Sequence, residues 1–398
     1  MKLNEEFLMK MREATQLLQS SGPAAATAAI QRMLEGKSNN VAEDRTFSDG
    51  FIDINPLPGK TGEIPANSAE PHGLLDRFRN LSGSAWANRP VRQPVQDVDL
   101  DAEPQPGAAG KFLSASCTNK AGTRAYKLYV PSGYAGEPLP LIVMLHGCKQ
   151  NPDDFAAGTG MNRVAEKNNC LVAYPAQAQS ANGSNCWKWF DTSDQKRDGG
   201  EPSIIADITR RVMSEYRVDP DRVYVAGLSA GGAMATILAG AYPDLYAAVG
   251  IHSGLPAGSA QDVASAFGAM KGGDKTAKVR VYKKVVPAIV FHGDHDHTVH
   301  PSNGVSALTQ CMSASVNEGG AREASIVKGQ VPHGRLYTRK IYNGEEGAAI
   351  AEHWTIHGAG HAWSGGNKAG SYTDPKGPDA SQEMVRFFYA NQKRKSAV

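Results

Sequence analysis

A serine stands in a Gly-x-Ser-x-Gly pattern directly after an apolar run. Val223–Leu228 is typical of a strand, Gly227 and Gly231 flank Ser229, and a helix-forming stretch follows. A serine hydroxyl is a poor nucleophile in water, so an enzyme must hold it clear of the backbone, beside a base and beside oxyanion donors. A strand, a sharp turn and a helix do this. Ser229 is therefore predicted to be a nucleophile, although the pattern alone also fits a glycine-rich turn.

A nucleophilic serine needs an acid and a histidine, and both follow later in the chain. The apolar run Pro287–Phe291 leads into a loop with Asp294 and Asp296. We assign Asp296 as the acid from its place in His-Gly-x-x-Asp, whereas Asp294 is predicted to shape the turn through local backbone hydrogen bonds. Glycines around His361 would let the backbone bring its imidazole towards the serine. His361 is therefore predicted to be the general base.

The oxyanion of an acyl-transfer reaction needs two hydrogen-bond donors. One is the backbone N–H of Ala230 at the start of the helix. The other is predicted to be the N–H of Cys148, in the loop after the apolar run Pro138–Leu145. His146 in that loop is interpreted as a packing residue rather than a second base. The order of serine, acid and histidine is that of an α/β-hydrolase.

Apolar runs alternate with helical patterns in the last two thirds of the chain. This alternation predicts an α/β fold with a mostly parallel sheet covered by helices on both faces. The predicted strands are Lys127–Val130, Leu141–Leu145, Leu171–Tyr174, Val223–Ala226, Ala247–Ile251, Ala288–Phe291 and His353–Ile356. The predicted helices are Ser203–Tyr216, Gly232–Ala241 and Ala380–Asn391. A hairpin of Leu336–Tyr342 with Ala348–Ile356 would present the histidine loop at its far end.

Composition divides the 398 residues into three parts. Residues 1–36 carry apolar side chains at helical spacing, and 37–122 are rich in Pro, Gly and polar residues, as expected of a partly disordered linker. The catalytic domain is predicted at 123–395. The N-terminal helices are interpreted as an appendage that docks on the body or forms a homodimer; contact with a hydrophobic granule is the alternative.

Charge and hydropathy argue against several kinds of partner. The net charge is +2 with both signs interspersed, so no nucleic-acid surface is predicted. No apolar run reaches the roughly 20 residues of a membrane span. The first residues carry charges where a secretory signal needs an apolar segment, which favours a cytoplasmic location. The predicted chemistry requires no cofactor.

Several longer segments together resemble a known family. They are Leu145–Gln150, Asn185–Trp189, Val218–Met234, His292–Asp294 and Gly358–Gly366. From about Arg124 to about Gln392 the chain is similar to esterases of the poly(3-hydroxybutyrate) depolymerase family, many of which are extracellular. The resemblance implies a carboxylic-ester hydrolase for hydroxyalkanoate esters or oligomers. The same group includes relatives of acetylxylan and feruloyl esterases, so a carbohydrate esterase is one alternative. A peptidase with the same triad and a non-catalytic interaction protein are the others.

The resemblance also bears on two of the five cysteines. It places Asn185–Trp189 near the active site, so a disulfide between Cys148 and Cys186 could fasten that segment to the oxyanion loop. A reducing cytosol would oppose this bond. The other cysteines are predicted to be buried thiols; they are Cys117, Cys170 and Cys311.

Two other groups of residues have competing interpretations. Trp187, Trp189 and Trp363 flank the proposed catalytic segments and are predicted to wall an apolar acyl pocket, with core packing as the alternative. A metal site is the rival interpretation of a cluster of histidines and carboxylates, namely His292, His295, His297 and His300 with Asp294 and Asp296. Alternation along a short loop does not direct several imidazoles to one point, so no metal is predicted.

Overall fold

One sheet of ten strands runs through the part of the chain that the computed structural model describes, residues 110–272, 281–316, 325–344 and 347–393. Its strands are β1 (Lys111–Asn119), β2 (Gly122–Val130), β3 (Leu139–Leu145), β4 (Leu171–Pro175), β5 (Val218–Leu228), β6 (Ala248–His252), β7 (Ala288–Gly293), β8 (Ser325–Gln330), β9 (Leu336–Asn343) and β10 (Ala349–Ile356). Their order is β1-β2-β4-β3-β5-β6-β7-β10-β9-β8. The central strands from β4 to β10 are parallel, and the outer pairs are antiparallel. Two short strands, β11 (Trp363–Ser364) and β12 (Thr373–Asp374), pair separately.

Helices cover both faces of this sheet. They are α1 (Pro152–Thr159), α2 (Met161–Asn168), α3 (Gly200–Glu215), α4 (Ala230–Ala241), α5 (Val263–Met270), α6 (Ser302–Cys311), α7 (Ser313–Val316) and α8 (Ala380–Ala390). Buried residues of α3, α4, α5 and α6 pack on one face, and those of α1, α2 and α8 pack on the other. The predicted mostly parallel sheet with helices on both faces is therefore confirmed.

The central strands are apolar along their whole length because both of their faces are covered. In β3, Leu141 and Val143 contribute to one core, whereas Ile142 and Met144 contribute to the other. All seven residues of β3 are buried. Parallel neighbours end at the same edge of the sheet, so the loops after β3, β5, β6, β7 and β10 meet there.

Each predicted strand overlaps an observed one, and the predicted hairpin is β9 with β10. Two outer strands were not predicted. β1 lies within 37–122, so the assignment of that stretch to a linker is wrong for Lys111–Asn119, which pairs along its full length with β2. β8 is the other outer strand, and most of its residues are exposed. An outer strand with a solvated face lacks the continuous apolar run by which the central strands were recognised.

The predicted helical segment 1–36 and residues 37–109 of the predicted linker lie outside the described residues. The homodimer or granule contact assigned to the N-terminal helices therefore stays a prediction. Within the described part of the chain, no helix has the length and apolar character needed to cross a membrane.

Candidate active site

The turn between β5 and α4 has a backbone that only close packing can maintain. Ser229 has φ 56° and ψ −118°, a conformation that is costly for a residue with a side chain. A Cβ on Gly227 would overlap the carbonyl of Gly231, and a Cβ on Gly231 would overlap the carbonyl oxygen of Leu145. The Ser229 N–H donates to the carbonyl of His252, 2.9 Å away. The turn therefore needs both glycines, and its serine is partly exposed.

The carboxylate of Asp296 is buried in the loop after β7. Its Oδ1 accepts hydrogen bonds from the N–H groups of Thr298 (2.9 Å) and Val299 (2.8 Å). Its Oδ2 accepts one from Nδ1 of His361 (2.7 Å) and lies 3.4 Å from Nε2 of His292. Burial alone would raise the pKa of Asp296, but the hydrogen bonds from His292, His361 and Val299 hold this pKa well below its ordinary value. Asp296 is therefore an anion suited to stabilise an imidazolium.

The imidazole of His361 projects from the loop after β10, and its side chain is 12% exposed. Because the Asp296 carboxylate only accepts, Nδ1 of His361 carries the hydrogen, and Nε2 is left as the basic nitrogen. No hydrogen bond joins Ser229 to His361 in the described geometry. The structure thus brings together the acid and the base of the predicted triad, and it leaves the nucleophile without that contact. Such contacts are often long in the absence of substrate.

His252 links the elbow, which is the turn of residues 227–231 around Ser229, to the segment after His361, and no sequence prediction named it. Its carbonyl accepts from Ser229 N–H, and its Nε2 accepts from the N–H of Ser364 (2.9 Å). Burial lowers the pKa of His252 far below its ordinary value, and the nearby His292 and His361 lower it further. A neutral imidazole can accept at Nε2. The one sequence signal was a polar residue at the end of the apolar run of β6.

The loop after β3 lies against the elbow. A Cβ on Gly147 would lie 3.6 Å from Cβ of Ser229 and 3.5 Å from the carbonyl oxygen of Leu228. The N–H of Gly147 donates to Oε1 of Gln150 (2.9 Å). Cys148, the residue predicted to supply the second oxyanion donor, is therefore next to a residue that touches the nucleophile turn.

His146 fixes the orientation of the peptide that carries the Cys148 N–H. Its Nδ1 donates to the carbonyl of Gly147 (2.8 Å), and its Nε2 accepts from the N–H of Gln177 (3.1 Å). The C=O and N–H of a trans peptide point in opposite directions, so the N–H of Cys148 points away from His146. Burial lowers the pKa of His146 to about 4, which keeps the ring neutral. Both nitrogens are occupied, as expected of a packing residue rather than a base.

A disulfide joins Cys148 to Cys186. Two further contacts attach the same segment to the oxyanion loop. Nε1 of Trp187 donates to the carbonyl of His146 (3.1 Å), and the N–H of Lys149 donates to the carbonyl of Ser184 (2.7 Å). Among the described residues, the remaining cysteines are free and buried; they are Cys117, Cys170 and Cys311.

The three tryptophans belong to the core. Trp187 and Trp189 pack in the core on the α4 side, and Trp363 packs in the core on the opposite side, where its Nε1 donates to Ser381. Their exposed fractions are 0%, 5% and 1%. Rings with so little exposed surface do not wall an open acyl pocket, so the structure does not support that prediction. The alternative of core packing describes all three.

The histidines in and after β7 differ in exposure and do not form a cluster. His295, His297 and His300 are exposed, whereas His292 is buried against Val299 and Asp296. In the described ranges, no group of three His, Cys, Asp or Glu side chains could hold a metal ion. Asp294 also departs from expectation: its carboxylate binds the distant residues His357 and Gly358 rather than the local backbone.

Curated proteins with similar sequences are ester hydrolases by name. Poly(3-hydroxyalkanoate) depolymerase C of Paucimonas lemoignei is 32% identical over 256 residues, which cover 61% of this chain and 59% of that protein. A probable acetylxylan esterase A of Aspergillus fumigatus is 30% identical over 206 residues, which cover 47% of this chain and 53% of the relative. The match thus spans between half and three fifths of the length of these relatives.

Comparison of folds gives a consistent result. An acetyl xylan esterase from Aspergillus awamori superposes with a TM-score of 0.54 at 18% identity, covering 70% of this chain and 99% of that one. This likeness bears on the fold alone, which is that of the α/β-hydrolases. The family model described as esterase PHB depolymerase matches residues 124–333, more than half of the 398 residues. The chain therefore belongs to the esterase PHB depolymerase family.

Proposed function

We propose that the protein is a serine carboxylic-ester hydrolase that acts on hydroxyalkanoate esters or their oligomers. The observation that carries the proposal is the 2.7 Å hydrogen bond between His361 and buried Asp296, at the sheet edge where Ser229 occupies its strained turn. An ionised acid, an oriented imidazole and a serine exposed by a sharp turn are the parts that acyl transfer requires. The likeness to named depolymerases supports the choice of ester.

In the proposed mechanism, Nε2 of His361 removes the hydroxyl proton of Ser229 as Oγ attacks the ester carbonyl. Asp296 orients the imidazole and stabilises the imidazolium. The N–H groups of Ala230 and Cys148 bind the oxyanion of the tetrahedral intermediate. His361 then protonates the leaving alcohol, and water activated by the same imidazole releases the acid from Ser229. The mechanism requires no cofactor.

The first prediction is that Ser229→Ala lowers the turnover of a short-chain p-nitrophenyl ester by roughly 10⁵-fold. The substitution removes the nucleophile and leaves the packing of the glycines unchanged. The control is Ser214→Ala, which removes a helix-surface hydroxyl that donates to the Arg211 carbonyl. Labelling by a fluorophosphonate probe should be lost in the first variant only. Turnover by Ser229→Ala equal to that of the unchanged protein would reject the assignment.

Substrate comparison separates the proposal from its alternatives. Hydroxybutyrate oligomers should be hydrolysed with a higher kcat/KM than acetylated xylan or feruloyl esters. The opposite ranking would assign the protein to the carbohydrate esterases, in line with its likeness to a probable acetylxylan esterase. Absence of both labelling and hydrolysis would favour a non-catalytic interaction protein.

A further inference from the structure

A second Asp–His pair lies beside the first. Oδ2 of Asp294 is 2.8 Å from Nδ1 of His357, and Nε2 of His357 is 2.8 Å from Oγ1 of Thr338. Asp294 precedes Asp296 by two residues, and His357 precedes His361 by four. The two pairs therefore join the same two loops, and the mechanism proposed above uses only one of them.

The carboxylate of Asp294 defines which nitrogen of His357 carries a hydrogen. Burial would raise the pKa of Asp294, but hydrogen bonds from His357 and the Gly358 N–H lower it, so the carboxylate is ionised at neutral pH. An ionised carboxylate only accepts, so Nδ1 of His357 carries the hydrogen; Nε2 forms its hydrogen bond with the hydroxyl of Thr338, which can donate or accept. Every polar atom of the His357 ring is thereby used.

Asp294 makes most of the contacts between the two loops. Its N–H donates to the carbonyl of Ile356 (3.1 Å), and its Oδ1 accepts from the N–H of Gly358 (2.7 Å). One position further, the N–H of His295 donates to the carbonyl of Ala359 (3.0 Å). These bonds extend the β7–β10 pairing past the ends of the strands, towards Asp296 on one side and His361 on the other.

Thr338 anchors this arrangement to the sheet. It lies within β9, opposite Thr355 of β10 on one side and Lys328 of β8 on the other. Its backbone is therefore engaged in strand pairing, unlike the N–H of Ala230 at a free helix start. Asp294, His357 and Thr338 follow the order of a catalytic triad: a carboxylate, an imidazole and a hydroxyl. A threonine inside a paired strand, however, has no free backbone N–H beside it that could bind an oxyanion.

We propose that Asp294, His357 and Thr338 are positioning residues, which fix the spacing between the acid loop and the base loop so that the His361–Asp296 hydrogen bond forms. This inference rests on the proposed function. The His361–Asp296 bond crosses between two loops, so relative movement of the loops lengthens it directly. Misplacement of a catalytic group by about 1 Å can cost roughly 10²-fold in rate.

The test compares Thr338→Val, which removes the hydroxyl, with Thr338→Ser, which keeps it. Thr338→Val should lower kcat roughly tenfold with KM within about twofold, and Thr338→Ser should restore kcat. Asp294→Asn should lower kcat further, because an amide has one acceptor oxygen, so either Nδ1 of His357 or the N–H of Gly358 loses its partner. The control is Thr118→Val, which also removes a 2.8 Å hydroxyl contact from a strand, at the far edge of the sheet.

A second readout does not depend on turnover. The proton between His361 and Asp296 should give a downfield imidazole N–H resonance, which shifts or broadens in Thr338→Val and Asp294→Asn and keeps its position in Thr118→Val and Thr338→Ser. If Thr338→Val does not fold, kcat and the resonance are compared between Asp294→Asn and Thr338→Ser instead.

Failure of the inference and failure of the proposed function give different results. An unchanged resonance and unchanged kcat in Thr338→Val and Asp294→Asn, with hydrolysis abolished by Ser229→Ala, would overturn the positioning role alone. A raised KM at constant kcat would also overturn it. If the unchanged protein hydrolyses no ester, the proposed function fails, and the resonance still decides whether the two pairs are coupled.

Discussion

The two proposed oxyanion donors lie on loops that are fixed by different forces. The turn that carries Ala230 is fixed by backbone packing, since Gly227 and Gly231 approach neighbouring carbonyls too closely for any side chain. The loop that carries Cys148 is fixed by side chains, namely the imidazole of His146 and a disulfide to Cys186. Close packing does not respond to pH or redox conditions, whereas an imidazole and a disulfide do. We therefore predict that the turn of Ala230 is disturbed only by mutation. The loop of Cys148 should be disturbed by mutation and also by a change of pH or by a reductant.

The largest expected effect is on the elbow. In Gly231→Ala the new Cβ overlaps the carbonyl oxygen of Leu145, and the backbone of β3 cannot yield without disturbing both cores. We expect a loss of at least about 3 kcal/mol in the free energy of unfolding and loss of fluorophosphonate labelling. Urea denaturation and labelling measure the two effects.

The matched control for this substitution is Gly268→Ala in α5, where an added Cβ meets nothing within 4 Å. This variant should be as stable as the unchanged protein or up to about 1 kcal/mol more stable, because alanine favours a helix. If Gly231→Ala and Gly268→Ala are equally stable, close packing does not fix the elbow, and the proposed contrast with the loop of Cys148 is wrong.

The next largest effect is expected from loss of the disulfide. Its cysteines are 38 positions apart, and closing a loop of this length stabilises a fold by about 2–4 kcal/mol. Cys186→Ser should lose stability of this order. It should also lower kcat roughly tenfold, because the peptide of Cys148 loses one of its attachments. Unfolding in urea and ester hydrolysis give the two quantities.

Reductant provides the control for the disulfide. Dithiothreitol should lower the activity of the unchanged protein to that of Cys186→Ser and leave the variant itself unaffected. It should not alter the elbow, so the labelled fraction after long exposure to the probe stays the same. If reduction leaves kcat unchanged, the disulfide does not position the oxyanion loop.

The same contrast explains what the sequence could and could not predict. The elbow is local: a strand, Ser229 between two glycines and a helix follow one another within about twenty residues, so its pattern is visible in the chain. The meeting of Asp296 with His361 is also predictable, because each residue follows an apolar run and stands in a catalytic motif. Asp294 and His357 are separated by a similar stretch, 63 residues, but neither stands in a motif that assigns it a role, so their pairing was not predicted.

The outer strand β1 and the positions of the tryptophan rings were not predicted correctly, because both depend on contacts with distant elements. Cys117 is the one residue of β1 in the buried class, so the sequence of this strand resembles a polar linker. Trp187 and Trp363 lie in loops by sequence, yet their rings reach the core, because a side chain's direction depends on contacts with distant elements. The sequence predicts which loops form the site, and long-range contacts decide which side chains face it.

The smallest expected effect is a change in the pH dependence of stability. Burial lowers the pKa of His146 to about 4, whereas an unfolded histidine has its ordinary value of 6.5. Between these values the unfolded chain binds more protons, so stability increases as pH rises from 4 to 6.5 and decreases as pH falls. His353, whose pKa is also lowered to about 4 by burial, acts in the same direction. Each such residue contributes about 1.4 kcal/mol per pH unit within the window.

His146→Asn keeps a donor for the carbonyl of Gly147 and removes the titrating group. It should therefore reduce the slope of unfolding free energy against pH between 4 and 6.5 by about 1.4 kcal/mol per unit, whatever its stability at neutral pH. Thr118→Val removes no titrating group and should leave the slope unchanged. Urea denaturation at several pH values gives both slopes. A slope for His146→Asn equal to that of Thr118→Val would mean that folding does not lower the pKa of His146, and the oxyanion loop would then be as insensitive to pH as the elbow.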